Sequence, residues 1–156
     1  MRIFLVFAAG ILVGTAIQTT VAQTPRPNLR LNHVGISVKD LPEALKFYQE
    51  KLGFNEVVRN PNGMSAYIQV SRDTFLELQQ AAPDRPPGFI HIGLEVGNLA
   101  TALPQFRRGG LDVGNPSESE RTKALISQAT GPNGLSFELL EFGPESLQRK
   151  VINAWK

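Results

Sequence analysis

Two histidines occupy matching positions in two similar segments of the chain, and the sequence contains no others. His33 lies in LNHVGISVKD and His91 lies in GFIHIGLEV, and each is followed two residues later by a glycine. The β-branched and apolar residues of both segments alternate with other residues, which predicts β-strands. Imidazole nitrogen is a common ligand of divalent transition metals, so the paired histidines suggest a metal site.

Two glutamates stand among apolar neighbours later in the same two halves. Glu77 lies in TFLELQQ and Glu138 lies in LSFELLEF, and both patterns are typical of largely buried strands. A buried carboxylate is costly unless a charge or hydrogen bonds compensate it. A divalent ion held by two imidazoles and two carboxylates would do so, and nitrogen and oxygen ligands suit Mn, Fe, Co, Ni or Zn. The predicted metal ligands are therefore His33, Glu77, His91 and Glu138.

Each of these residues taken alone has an ordinary structural explanation. A lone strand histidine is usually a hydrogen-bonded residue, and an alternating glutamate usually lies on a solvated face. The metal site is favoured because the two types of residue repeat together in the two halves.

The halves repeat over most of their length. NHVGISVKDLPEALKFYQEKLGF aligns with IHIGLEVGNLATALPQFRRGGL, without a gap until just before the glycine that ends each predicted helix. Three further strands are predicted in each half: FNEVVR, SAYIQV and TFLELQQ in the first, and LDVG, KALISQAT and LSFELLEF in the second. The expected fold class is α+β, with duplicated βαβββ modules at about 31–82 and 88–143.

Local signals place the helices and the faces of the strands. Asp40 and Asn98 suit N-caps, and Gly53 and Gly109 or Gly110 suit the helix ends. The apolar stripe predicted for the first helix comprises Leu41, Leu45, Tyr48 and Leu52. Because successive strand residues point to opposite faces, the predicted ligands share the face that the helices leave open.

The first residues predict export. An apolar run follows Arg2, and Thr20-Val21-Ala22 is an acceptable cleavage site, so residues 1–22 are interpreted as a signal peptide. The apolar run is shorter than a bilayer span, so no stable membrane insertion is expected after processing. Residues 23–30 are a predicted linker, 31–143 the domain and 144–156 a C-terminal tail. The protein is expected to be periplasmic or secreted.

The composition of the chain limits the kinds of binding partner and of stabilising cross-link that can be expected. Without cysteines the chain forms no disulfides, so an exported form must depend on its core or on a metal. The net charge is +2 and the basic residues are scattered, which argues against a nucleic-acid partner. A small-molecule substrate is the expected partner.

At the predicted ligands the sequence resembles the vicinal oxygen chelate superfamily, which includes glyoxalase I, methylmalonyl-CoA epimerase, extradiol dioxygenases and bleomycin-resistance proteins. NHVGISVKDLPEALKFYQEKLGF, LEL, HIGLEV and GPNGLSFELLEF carry this resemblance, which covers Leu31 to about Phe142. It implies a cupped mixed sheet and is strongest for glyoxalase I, whose metal ligands stand on the first and last strands of each module.

The resemblance also implies a mechanism. A divalent ion would bind both oxygens of an α-hydroxycarbonyl substrate and stabilise an enediolate. Glu138, with Glu77 second in preference, would shuttle the proton. Two positions depart from glyoxalase I and argue against glutathione: Ser37 stands where an arginine is usual, and Ala81 where an asparagine is usual.

Two other functions stay open. An extradiol-type dioxygenase would use His33, His91 and Glu138 to hold ferrous iron. A non-catalytic drug-binding module would use only the concave sheet. Relatives of this length often pair as homodimers, which is also expected here, with the ligands supplied by one chain or by two.

The remaining conspicuous residues have plain interpretations. Tyr67 could line the pocket, but core packing is favoured. Arg59, Arg121 and Lys123 could each meet an anionic substrate, but a solvated surface position is favoured for each. Trp155 is expected to pack over the domain or a partner subunit.

Overall fold

The structure, a computed structural model, describes residues 26–155. The predicted signal peptide, residues 1–22, lies outside the described residues. The elements follow in chain order: β1 (Leu29–Val38), α1 (Leu41–Leu52), β2 (Asn55–Arg59), β3 (Ser65–Ser71), β4 (Thr74–Gln80), β5 (Gly88–Val96), α2 (Leu99–Arg108), β6 (Ser117–Glu118), β7 (Leu125–Thr130), a 3₁₀ turn (Pro132–Gly134), β8 (Ser136–Glu141) and α3 (Leu147–Ala154).

The strands form one mixed sheet in the order β2-β3-β4-β1-β5-β8-β7-β6. Within each module the first and last strands pair in parallel, β1 with β4 and β5 with β8. The modules meet where β1 pairs antiparallel with β5, and we call this strand pair the seam. This arrangement confirms the predicted α+β fold of two βαβββ modules.

Each long helix covers one module on the face away from the predicted ligands. Asp40 accepts a hydrogen bond from the Glu43 amide at the start of α1, and Asn98 accepts one from the Thr101 amide at the start of α2. Gly53 ends α1 with a φ of 69°, a conformation that suits glycine. These caps confirm the predicted helix boundaries.

The apolar residues of the two helices fill two separate cores. Leu41 and Leu45 pack with residues of β3 and β4, whereas Leu99 and Leu103 pack with residues of β5 and β8. Leu52, predicted to belong to the first core, is instead 51% exposed in the last turn of α1.

Other local predictions need correction. LDVG forms no strand: Val113 makes a single bridge to Ala129, and the short outer strand is Ser117–Glu118. Val113 is apolar because it is buried in the core under α2. The first strand begins at Leu29, so the last two residues of the predicted linker belong to the sheet.

The predicted tail contains a helix, α3, which lies across the open face of the sheet. The amide of Leu147 at its start donates to the carbonyl of Thr122, beside the second module. Near its other end Ile152 is buried against Tyr67 and Phe75 of the first module. No helix among residues 26–155 is both long and apolar enough to span a membrane.

An ion-pair cluster fixes the middle of α3 to the sheet. Arg149 donates to Glu95 at 3.0 Å, and Arg30 donates to the same carboxylate oxygen at 3.1 Å. Glu95 is buried on β5, so two guanidinium groups compensate one desolvated carboxylate.

Candidate metal centre

The four predicted ligands lie on the four central strands. Glu77 is on β4 opposite Gly35 of β1, and Glu138 is on β8 opposite Gly93 of β5. His33 and His91 stand on the two strands of the seam. Parallel pairing within each module and antiparallel pairing between modules thus bring all four side chains to one place on the open face.

The glycine after each histidine makes room for the other histidine. In the register of the seam, His33 lies opposite Gly93 and His91 lies opposite Gly35. A β-carbon at position 93 would lie 2.2 Å from Cε1 of His33, and one at position 35 would lie 2.5 Å from Cε1 of His91. Each imidazole therefore occupies the space that a side chain on the opposing strand would fill.

The ligand atoms face one another. The Nε2 atoms of the two histidines are 2.9 Å apart. Oε2 of Glu77 is 3.3 Å from Nε2 of His91 and 3.9 Å from Nε2 of His33. Oε2 of Glu138 is 3.5 Å from Nε2 of His33 and 3.7 Å from Nε2 of His91.

These distances fit a shared divalent ion. Two atoms that are each about 2.1 Å from one ion lie about 3.0 Å apart at a right angle and about 3.4 Å apart at a tetrahedral angle. The ligand atoms of His33, Glu77 and His91 all lie within 4.8 Å of one another, and these residues are buried. The triad is consistent with a divalent metal site, and Glu138 lies against both of its histidines.

Asn32 sets the tautomer of His33. Its Nδ2 donates to the carbonyl of Asp73, so its Oδ1 faces Nδ1 of His33 at 3.1 Å and accepts a hydrogen bond from that nitrogen. With the proton on Nδ1, the lone pair of a neutral His33 points from Nε2 toward the other ligands, as metal binding requires.

The two glutamates have the same arrangement but different partners. Each turns Oε2 to the histidines and Oε1 outward. Oε1 of Glu77 accepts from the guanidinium of Arg121 at 2.8 Å, whereas Oε1 of Glu138 accepts from the amide of Gln128 at 3.0 Å. One glutamate is therefore held by a positive charge and the other by a neutral group.

The electrostatics follow from these partners. Burial alone would raise the pKa of Glu77, but hydrogen bonds from His91 and Arg121 outweigh it and lower that pKa to about 2. For Glu138, burial is likewise outweighed, chiefly by the nearby His33 side chain and by the charge of His91, so its pKa is also lowered. Both carboxylates are ionised at neutral pH, the form that binds cations.

The same two carboxylates also raise the pKa values of His91 and Tyr67. Burial would lower the pKa of His91, but its hydrogen bond to Glu77 and the charge of Glu138 raise it. Burial and the charge of Glu77 raise the pKa of Tyr67 well above its usual value. The Tyr67 hydroxyl is therefore protonated at neutral pH.

Sequence reasoning missed the role of Arg121. Interpreted as a surface residue, it instead reaches from the loop between β6 and β7 to the first module, where it bonds Glu77 and Ser65 and lies over the Tyr67 ring. Tyr67 is buried against Phe75, but on the open face and edge-on to His33, with ring centres 5.6 Å apart.

Of the other charged residues considered from the sequence, Arg59 pairs with Glu56 and Lys123 pairs with Glu118, both at the surface. Trp155 is 43% exposed after the end of α3. All four predicted ligands converge within one chain, so the described residues bring them together without a second subunit.

A cupped mixed sheet of two βαβββ modules, with histidine and glutamate converging on its open face, defines a class of small-molecule-binding proteins and enzymes. The profile of the Glyoxalase/Bleomycin resistance protein/Dioxygenase superfamily matches residues 30–139. The chain belongs to this superfamily, as the resemblance in its sequence indicated.

Individual relatives are distant. A chloroplastic protein of Arabidopsis thaliana described as a probable lactoylglutathione lyase is 28% identical over 127 residues, which cover 74% of this chain. The match spans 36% of that relative, so the chain corresponds to about a third of its length.

Solved structures support the fold. Methylmalonyl-CoA epimerase from Mycobacterium tuberculosis matches with a TM-score of 0.60 and 21% identity, over 82% of this chain and 96% of that one. BphC, a halotolerant catechol dioxygenase, matches with a TM-score of 0.61 and 23% identity, over 77% of this chain and 44% of that one.

Proposed function

We propose that this protein is a metal-dependent lyase or isomerase of the glyoxalase type that acts on a small oxygenated substrate. The observation that carries the proposal is the convergence of two imidazole nitrogens and two carboxylate oxygens, one of each from either module. The similarity to a protein described as a lactoylglutathione lyase supports the same reaction type.

The residues that would hold the ion are His33, Glu77, His91 and Glu138. When bound, a divalent ion (Ni, Zn, Co, Mn or Fe) would act as a Lewis acid toward a carbonyl oxygen of the substrate and make the adjacent C–H easier to deprotonate. Asn32 orients one imidazole, and Arg121 orients the Glu77 carboxylate.

We assign Glu138 as the group that moves the proton. In the described part of the chain, its outward oxygen accepts a hydrogen bond from the neutral amide of Gln128, an exposed residue, and its side chain is 16% exposed. Glu77 is 6% exposed and is fixed by a guanidinium, so it suits a positioning role. A proton acceptor must be able to reach the substrate carbon, which favours the more accessible carboxylate.

The substrate we propose is not a glutathione adduct. Ser37, at the position where glyoxalase I usually has arginine, exchanges hydrogen bonds with the backbone of Gly88 at 3.0 and 3.3 Å. A hydroxyl occupied in this way cannot replace a guanidinium that binds a carboxylate of glutathione.

Elemental analysis of the purified protein tests the proposal. We expect about one divalent ion per chain in the wild type, and much less in Glu77→Gln and Glu138→Gln. Glu118→Gln, at an exposed glutamate, is the control and should keep the ion. A wild-type protein that takes up no stoichiometric metal when supplied with each of the five candidate ions would end the proposal.

Proton exchange tests the reaction type. Metal-loaded protein is incubated in D₂O with a panel of α-hydroxyketones and 2-oxoaldehydes, and loss of the C–H signal is followed by NMR. We expect the wild type to exchange this proton, and we expect Glu138→Gln not to exchange it even at a metal concentration at which the variant is loaded. Exchange that survives unchanged in that variant would contradict the assignment of Glu138.

An extradiol-type dioxygenase is the second candidate. His33, His91 and Glu138 form a two-histidine, one-carboxylate set, which is the ligand pattern of many ferrous oxygenases. Against this, Glu77 adds a second carboxylate 3.3 Å from His91. Oxygen uptake with catechols by the iron-loaded protein would favour the dioxygenase, and no uptake across the panel would reject it.

A further inference from the structure

The position of Arg121 suggests a second role besides its hydrogen bond to Glu77. It leaves the second module in a tight loop, in which the Lys123 amide donates to the Ser119 carbonyl and the Thr122 carbonyl accepts from the first amide of α3. The loop is thereby held between the sheet and α3. Arg121 extends from this loop across the open face to the first module, where its partners Ser65 and Glu77 are 56 and 44 residues away in sequence.

The guanidinium borders a pocket next to the candidate metal centre. The pocket holds about 500 Å³, and Arg121 shares its wall with Ser65, Glu77, Gln79 and Ser119. Among the described residues that line this pocket, Arg121 is the one with a basic side chain. The other acidic residue of the lining, Glu120, is exposed.

Arg121 retains unused donor capacity toward this pocket. A guanidinium has five N–H donors, whereas among residues 26–155 Arg121 donates to two acceptors, Oγ of Ser65 at 2.6 Å and Oε1 of Glu77 at 2.8 Å. Its side chain is 24% exposed, and the Tyr67 ring lies 5.0 Å from its central carbon. The guanidinium group is thus held in place by the protein on one side and is accessible to a ligand on the other.

Charge balance points to an anion. A divalent ion and two carboxylates would cancel one another, with the imidazoles neutral, and the positive charge of Arg121 would remain beside them. A planar guanidinium next to a site of no net charge is well suited to a carboxylate, which it can bind through two parallel hydrogen bonds.

We propose that Arg121 recognises an anionic group of the substrate, and that the substrate is therefore a small oxygenated carboxylate. This inference rests on the proposed function, since it places the substrate's oxygen pair at the metal centre and its carboxylate in the adjoining pocket. Arg121 would then set specificity as well as position Glu77.

A matched pair of chelating probes tests the inference by binding alone. Succinic monohydroxamate carries a hydroxamate that chelates a metal ion and a carboxylate that can reach Arg121, and its primary amide has the same shape without the charge. Affinity for Co²⁺-loaded protein is measured from the visible absorption of the cobalt. We expect the wild type to bind the carboxylate about tenfold more tightly than the amide, as for a charge-assisted hydrogen bond.

Variants separate recognition from packing. Arg121→Met should bring the ratio of the two affinities close to one while retaining binding of the amide, and Arg121→Lys should restore part of the ratio. Lys123→Met, at an exposed residue of the same loop, is the control and should keep the wild-type preference.

The contrary outcomes are distinct. A wild-type protein with no preference, a preference that survives Arg121→Met, or an equal loss of both probes in both Arg121 variants would each overturn the inference alone. A wild-type protein that takes up none of the five candidate ions would overturn the proposed function, and this inference with it.

Discussion

The first and second modules contribute the same pair of candidate ligands, one histidine and one glutamate, but surround them differently. In the first, Glu77 is paired with Arg121, and the strand face beside it is covered by α3. In the second, Glu138 is bonded to the exposed Gln128, and more of its side chain reaches solvent. The repeat provides the ligands, and segments outside the repeated pattern, the β6–β7 loop and α3, make the two halves unequal.

The different surroundings of the two carboxylates suit them to different roles. The buried, charge-compensated carboxylate of the first module is suited to holding an ion in a fixed geometry. The more accessible carboxylate of the second module is suited to meeting a substrate. A symmetric pair of ligands can thus serve two purposes when their surroundings differ, and four sets of variants examine how far the difference extends.

The largest effect is expected at the seam. Gly93→Ala places a β-carbon 2.2 Å from the fully buried ring of His33, and should lower the free energy of unfolding by about 3 kcal/mol and abolish metal binding. Gly35→Ala places its β-carbon against the slightly more exposed His91, so it should lower the free energy of unfolding by less. Urea denaturation and metal content measure both.

Gly97→Ala is the control for these two variants, because its β-carbon would have no neighbour within 4 Å. If Gly93→Ala binds metal as well as Gly97→Ala does, the close packing of histidine on glycine is not a requirement of the site.

The second-largest effect is expected where α3 covers the first module. Ile152→Ala removes a buried side chain that packs on Tyr67 and Phe75, and should lower the free energy of unfolding by about 2–3 kcal/mol in urea. Asn153→Ala, at the exposed neighbouring position on α3, should change it little. Equal stability of the two variants would mean that α3 adds nothing to the first module.

A smaller effect is expected from the neutral partner in the second module. Gln128→Met leaves Oε1 of Glu138 without its hydrogen bond, and should weaken Co²⁺ binding about tenfold. Gln49→Met, at an exposed glutamine of α1, is the control. Calorimetric titration with Co²⁺ measures the change, and an unaltered affinity would indicate that Gln128 does not hold the carboxylate.

The smallest effect compares the two glutamates directly in metal-free protein. Glu77→Gln deprives the partly buried Arg121 of its carboxylate, so in EDTA at pH 7 it should cost about 1 kcal/mol more than Glu138→Gln. The lowered pKa of Glu77 means that its ionised form stabilises the fold above its ordinary value of 4.5. The excess should therefore shrink as the pH falls from 4.5 toward 2, and an excess that persists there would have another origin.

The ligand strands could be predicted from the sequence because their signals are local and repeated. His33 and His91 have the same neighbours, and the alternation around Glu77 and Glu138 assigns each carboxylate to a face. The repeat predicted how the strands pair within each module but left open whether the two pairs of side chains come from one chain or from two, and the pairing of β1 with β5 brings them together within one chain. The signal peptide and the homodimer remain predictions.

Arg121 and α3 could not be predicted in this way. Arg121 lies in the polar stretch SESERTK, where nothing nearby distinguishes it from a surface residue, and its partners lie in the other module. The pattern of α3 is amphipathic, but its apolar side packs on a face that the strand pattern assigns to open space. The strand predicted at LDVG failed because burial in a core and membership of a sheet give Val113 the same apolar character.

The seam gives the candidate metal centre a thermodynamic consequence. Two ligands come from each side of the β1–β5 pair, so an ion bound by all four would connect the two halves of the molecule. Its binding free energy would then be added to their association, and the concentration of free ion would become a variable of the folding equilibrium. Any opening that separates β1 from β5 would release the ion before either helix-covered core has to unfold.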